Sequence, residues 1–129
     1  KKDNRSLIIV DGSPGIGCPV IASITGADLV LVVTEPTLSG EHDLKRVAEL
    51  TKHFKIPTLL CINKSDLNPN ISDRIIKQAK DQGLHSVGTI RYDKTVSEAQ
   101  MAKAAVVEFS DRPIAQDIKK IWNNVTNEL

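Results

Sequence analysis

The 129-residue sequence predicts an α/β protein built on an open, mainly parallel four-stranded sheet with helices on both faces. Two observations carry that prediction. Short, predominantly apolar runs at residues 7–10, 28–34 and 56–62 alternate with longer stretches whose apolar residues recur every three or four positions. A run without polar alternation suits a strand covered on both faces, which is the usual condition in a parallel sheet. Each run also ends in turn-forming residues: Asp11 to Gly15, Glu35-Pro36, and Asn63 to Asp66. Open α/β sheets keep their ligand-binding loops beyond the carboxyl ends of the strands, and strands joined through helices imply right-handed crossovers.

The elements follow in order. Residues 7–10 (Leu-Ile-Ile-Val) are expected as the first strand, and 16–24 as a short helix stopped near Gly26. Residues 28–34 (Asp-Leu-Val-Leu-Val-Val-Thr) are apolar from 29 to 33 and rich in β-branched valine, a strand pattern. Pro36 and Gly40 punctuate a loop before a helix reaching about Phe54, with Leu44, Val47, Ala48 and Leu50 on its apolar side. Residues 56–62 form the third strand, where Pro57 is tolerated near the start. Asn70 begins a helix carrying Ile71, Ile75, Ile76 and Ala79, ended by Gly83. Residues 85–90 form a weaker fourth strand. Thr95 and Glu98 stand at capping-box spacing ahead of a helix through Ala99, Ala102 and Val106. Pro113 opens the last helix, with Ile114, Ile118, Ile121, Trp122 and Val125 as its apolar stripe. The whole chain, 1–129, reads as a single α/β domain without repeats or linkers.

Composition excludes several classes of function. Seventeen basic and sixteen acidic residues leave a net charge of +1, with no electrostatic footprint for nucleic acid. Trp122, Tyr92, Phe54 and Phe109 are the only aromatic residues, too few for a base-stacking platform along a strand of nucleic acid. No apolar run is long enough to form a transmembrane segment. Cys18 and Cys61 lack metal-ligand spacing and are expected as two buried thiols in a reduced, cytoplasmic protein. His42, between Glu41 and Asp43, reads as a solvated first helical turn rather than a metal site.

The candidate functional residues lie at the strand ends. Asp11 follows an apolar run and precedes Gly12, Ser13, Pro14 and Gly15. A carboxylate in that position suits Mg²⁺ held through its water shell beside nucleotide phosphates, with the glycine N–H groups free to meet an anion. The alternative is an aspartate forming an Asx turn or capping the next helix. Asn63-Lys64-Ser65-Asp66 ends the third run. An asparagine amide there suits the edge of a purine, while the loop's own turn needs offer a simpler use for Asn63 and Asp66. Arg91 and Tyr92 follow the fourth strand, residue types that suit stacking on a ligand or a solvated surface equally well. No nucleophilic triad is present.

The string from Asp11 to Val20 (Asp-Gly-Ser-Pro-Gly-Ile-Gly-Cys-Pro-Val), followed by Thr34-Glu35-Pro36-Thr37 and Cys61-Ile62-Asn63-Lys64, resembles the MinD/ParA-type P-loop ATPases. Within them it is most similar to the MinD-related ATPases that carry an inserted ferredoxin domain, over the C-terminal half of such a protein. The resemblance implies that Asp11 organises Mg²⁺ or the attacking water and that Gly15 senses the terminal phosphate. It also implies that Asn63 binds adenine and that residues 90–93 close over the base or ribose. ATP and Mg²⁺ would be the cofactors of the complete protein, with an iron–sulfur cluster in its other part, a homodimer as its working form, and an iron–sulfur or redox partner.

The sequence departs from that family in two ways. Ser13 stands where the family often has proline, and no Gly-Lys pair occurs anywhere, so the Gly-x-x-x-x-Gly-Lys-Ser/Thr phosphate loop is missing. The chain is therefore expected to be a part of an ATPase that does not hydrolyse nucleotide by itself. Two other readings remain open: a GTP-binding, metal-chaperone-like part, suggested by Asn63-Lys64-Ser65-Asp66, and a non-catalytic interaction domain.

Overall fold

The computed structural model describes residues 6–129. Its sheet contains β1 (Val30–Thr34), β2 (Thr58–Ile62) and β3 (His85–Thr89), all parallel and in the order β1-β2-β3. The helices are α1 (Cys18–Ile24), α2 (Leu38–His53), α3 (Pro69–Asp81), α4 (Thr95–Met101), α5 (Val106–Phe109) and α6 (Pro113–Asn127).

The central strand explains the layering. Alternate residues of β2 point to opposite faces, and both faces are closed. Leu60 and Ile62 are fully buried under Leu44 and Ala48 of α2 and Ile75 and Ala79 of α3. Leu59 and Cys61 face the other way, against Ile121 and Val125 of α6 and Val87 of β3. Each fully buried Leu or Ile contributes about 1.5–3 kcal/mol. Arg74 of α3 grips Glu41 of α2 with two hydrogen bonds, of 2.8 and 2.6 Å. That contact holds the Glu41 carboxyl below its ordinary range.

A bulge at Val87 lets α6 come close. The β2–β3 register jumps there, pairing Leu60 with Ser86 and Cys61 with Gly88. The carbonyl of Val87 accepts a 2.7 Å hydrogen bond from Asn124 Nδ2 of α6 instead. Gly88 has φ +137°, and a Cβ on it would meet Ile121 at 3.2 Å, so both backbone and packing ask for glycine.

Several expectations need correction. The sheet has three strands among the described residues, not four, because residues 7–10 form no strand: Leu7, Ile8, Ile9 and Val10 are exposed and extend through an irregular segment. A strand exists only through a partner ladder, and among the described residues this run pairs with none. On the face that carries Leu59 and Cys61, β1 leaves Leu31 and Val33 partly uncovered, Val33 at 57% exposure.

Gly40 lies inside the first turn of α2 rather than in a loop. Helix α3 starts earlier than expected, because Asn68 caps it through its side chain and Pro69 takes the first helical position. The expected Thr95/Glu98 capping box does not form. Asp93 instead accepts from both the N–H and the hydroxyl of Thr95, and the chain breaks at Lys103 (φ +53°), ending α4 before Val106. On α6, Trp122 is 46% exposed rather than packed, while Ala115 joins the buried face. Cys61 is buried as expected, but Cys18 is exposed.

Candidate functional site

The parallel strands deliver three loops to one edge, and backbone hydrogen bonds beyond the strands keep them together. Asn63 N–H donates to the Thr34 carbonyl at 2.7 Å, Ile90 N–H to Ile62 at 2.8 Å, and Ser65 N–H to Ile90 at 3.0 Å. Lys64 then turns sharply, with φ +53°. The turn sends its ammonium to Glu35 Oε1 at 2.8 Å, joining the ends of β1 and β2. This hydrogen bond raises the Lys64 pKa above its ordinary value, with a smaller contribution from the nearby Tyr92 phenol. Asn63 is half-buried, and its Oδ1 accepts the Lys64 N–H at 3.0 Å. A carbonyl oxygen has a second lone pair, so the amide can still present an acceptor and two donors to a base edge. Ser72 of α3 anchors the same turn by donating its hydroxyl to the Ser65 carbonyl at 2.7 Å.

The loop after β3 is braced residue by residue. Asp117 of α6 accepts from the Arg91 N–H at 3.2 Å and from its guanidinium at 2.7 and 3.0 Å. Asp66 Oδ1 accepts the Tyr92 N–H at 2.7 Å. Asp93 binds Thr95 and lies 3.9 Å from Arg112. The Arg91 contact holds the Asp117 carboxyl below its ordinary range, and the Thr95 hydroxyl does the same for Asp93. The Tyr92 side chain remains 54% exposed beside the Asn63 turn.

The loop after β1 is tight. Thr37 caps α2 by accepting the Gly40 N–H at 2.9 Å, which brings Gly40 against the Glu35 carbonyl. The other predicted stretch is placed less firmly. Asp11, Gly12 and Pro14 lie in an exposed irregular segment leading to α1, and Gly15 has φ +90°. No hydrogen bond or ion pair links the Asp11 carboxylate to the strand-end cluster among the described residues. A shallow depression of about 340 Å³, lined by Gly26, Asp28, Lys55 and Pro57, lies at the opposite, amino-terminal end of the strands, away from this chemistry.

Asn63, Lys64, Arg91 and Tyr92 are thus brought to one edge, with Arg91 engaged by Asp117 while its side chain stays about half exposed. Sequence reasoning gave no catalytic role to Glu35 and missed Asp117 altogether. Asp117 is 26 positions from Arg91, and no local pattern ties them. His42 and Asp43 sit 3.8 Å apart at the start of α2, while the neighbouring Glu41 is taken by Arg74. No group of three potential metal ligands, and no helix long and apolar enough to cross a membrane, occurs among the described residues.

No protein-family model matches the chain. It is 40% identical over 68 residues to Uncharacterized protein MJ0578 of Methanocaldococcus jannaschii, covering 53% of this chain and 25% of that protein. It is 25% identical over 129 residues to Uncharacterized ATP-binding protein MJ0547 of the same organism, covering 92% of this chain and 46% of that protein. The crystal structure of the cell division ATPase MinD of Pyrococcus furiosus superposes with a TM-score of 0.76 at 15% identity, covering 92% of this chain and 51% of MinD. The chain therefore has a MinD-type α/β fold and spans between a quarter and about half the length of these proteins.

Proposed function

We propose that this chain is the base-binding part of a MinD-like ATPase whose phosphate-holding residues lie in other chain. The observation that carries the proposal is the cluster of Asn63, Lys64, Glu35, Asp66 and Tyr92 at the carboxyl edge of a MinD-type sheet. The ATP-binding relative supports ATP as the nucleotide. Asn63 fits a purine edge, and the exposed Tyr92 ring offers a stacking surface beside it. Mg²⁺ would neutralise charge between the phosphates, and Asp11 would hold it through the water shell that the ion gives up reluctantly.

A further segment is supported by surfaces the described chain leaves open. The run at residues 7–10 has strand character but no ladder, and Leu31 and Val33 of β1 face solvent. Chain that completes the sheet would cover both. We also carry the homodimer, ATP hydrolysis and an iron–sulfur association as properties of the intact protein. The cluster's ligands would come from elsewhere, since Cys61 is buried with its thiol pushed up to about 11 and no group of three potential metal ligands occurs among the described residues.

The test is binding and turnover of ATP by the intact protein. Asn63→Ala should weaken ATP binding about tenfold or more, the value of a lost buried base contact. Asp11→Asn should abolish turnover while sparing much of the binding. ATP turnover unaffected by Asp11→Asn would remove Asp11 from the site, and unchanged binding in Asn63→Ala would remove the base assignment.

A further inference from the structure

We infer that the open trough between α6 and the free edge of β1 seats an amphipathic helix from the rest of the protein, docked against Trp122, Leu31 and Val33. The inference rests on the reading that further chain completes the sheet, and it names the element that covers this face. Helix α6 runs back along β3. Near its start Asp117 reaches Arg91, beyond the carboxyl end of β3, and two turns later Asn124 reaches the Val87 carbonyl within the strand. Between them Ile121 lies over Gly88, and Ile121 and Val125 pack with Leu59 and Cys61 of β2. At 3.6 residues per turn, Asp117 and Asn124 share one flank of α6, and Trp122 stands about 140–160° round from them. Going around the helix from the β3 contacts to the β2 contacts therefore leads on to Trp122, on the side of β1.

The strand register sets the height. Gly88 pairs with Cys61, and Cys61 with Val33, so Trp122, next to Ile121, stands level with Val33. Trp122 is 46% exposed and Val33 57%, whereas Leu29, just before β1 on the same face, is packed against the α6 cluster. The trough thus has an apolar floor, Leu31 and Val33, and an apolar wall, Trp122.

Width decides what fills it. Strands lie about 4.8 Å apart and packed helices about 8–10 Å apart, so one helix covers about two strands. Two helices, α2 and α3, cover the opposite face, while α6 is spent on β2 and β3. A strand added to the edge of β1 would lie beside it in the ladder and leave the face of Leu31 and Val33 open. A helix set one helix-width from α6 would cover both residues, pack its side on Trp122, and extend over the next strand. Parallel sheets carry helices on both faces, and the chain spans 51% of the MinD whose fold it shares.

The experiment maps hydroxyl-radical oxidation of the intact protein by peptide mass spectrometry, with each rate set against the same residue in the unfolded protein. Trp122 is the one tryptophan of these 129 residues, and Met101, 86% exposed, is the reference. Met101 should oxidise near its unfolded rate. Trp122 should react about fivefold or more slowly, as a packed ring does once most of its surface is covered, against about twofold for a ring left 46% exposed. In parallel, Val33→p-benzoylphenylalanine should photo-cross-link to a peptide of the same polypeptide outside the 129 residues, with apolar residues three or four apart. Trp122 oxidised at the rate of an open ring would overturn the inference. So would a cross-link that doubles the mass on a denaturing gel, which puts a second copy in the trough, or one to a peptide of alternating apolar residues, which puts a strand there. An intact mass no greater than that of this chain would overturn the further-chain reading and the inference together, whereas a longer protein with an open Trp122 would overturn the inference alone. No nucleotide enters either measurement, so the base-binding reading keeps its own test.

Discussion

Replacing Gly40 with alanine tests how the end of β1 is joined to α2. In an ordinary helix interior the change stabilises by about 0.5–1 kcal/mol, because glycine loses more backbone freedom on folding. At this site the added Cβ would stand 2.5 Å from the Glu35 carbonyl oxygen, 2.6 Å from Thr34 Oγ1 and 3.1 Å from Thr37 Oγ1. Carbon and oxygen ordinarily approach no closer than about 3.3 Å. Thr34 can rotate its hydroxyl away, but the Glu35 carbonyl is backbone, in a segment held by the Thr37 N–H to Glu35 carbonyl bond of 2.8 Å. Overpacking of this kind costs about 1–3 kcal/mol. Because the clash is with backbone, the cost belongs in the middle of that range or above, and setting the propensity gain against it leaves a net loss of at least about 1 kcal/mol. Urea denaturation followed by circular dichroism should show a lower midpoint at unchanged slope. The melting temperature should fall by roughly 3–6 °C for each kcal/mol in a chain of this size. A midpoint that is unchanged or raised would refute the reasoning, because Gly40 would then be an ordinary helical glycine and the close docking of α2 on Glu35 would be wrong.

Leu60→Ala, at a fully buried position of the central strand, should cost about 2–5 kcal/mol in the same denaturation assay, against much less for Leu31→Ala on the partly exposed β1. Under native conditions a thiol reagent should modify the exposed Cys18 quickly and the buried Cys61 only on unfolding, as its pKa of about 11 also requires; mass spectrometry of labelled peptides reads this directly. The Asp117 carboxyl is held below its ordinary value by Arg91, so its ionised form is the stabilising one. Its contribution should be complete above pH about 4 and fade as the pH falls further, through the lowered folded value. Thermal melts between pH 6 and pH 3 should therefore show a shallower acid-side decline in Asp117→Asn, starting from a lower plateau.

The sequence made legible whatever rests on short-range pattern. Strands β1 and β2 are apolar runs of the right length, and α3 and α6 carry their apolar residues at helical spacing, so both type and order follow from residues near one another. The strand-end loops follow too, because Asn63-Lys64 and Glu35-Pro36 interrupt those runs. What escaped depends on partners far along the chain. Thr95 fits a capping box by spacing, yet Asp93 sits closer in geometry and takes both of its donors. Asp66 invites a reading from its own four-residue motif, while its partner is the Tyr92 N–H, 26 positions later.

Residues 7–10 show the limit most clearly. Their pattern is as apolar as that of 28–34, and a sequence rule must treat the two alike. Apolar runs state that a segment gains by being covered; they do not state what covers it. Residues 30–34 find β2 and α2 and become a strand. Residues 7–10 find no ladder and stay exposed, at the same time as Leu31 and Val33 lack cover on the neighbouring face of β1. Two separate deficits of the same kind, in a chain that spans about half the length of MinD, have one economical explanation. The proposal that further chain completes the sheet satisfies both.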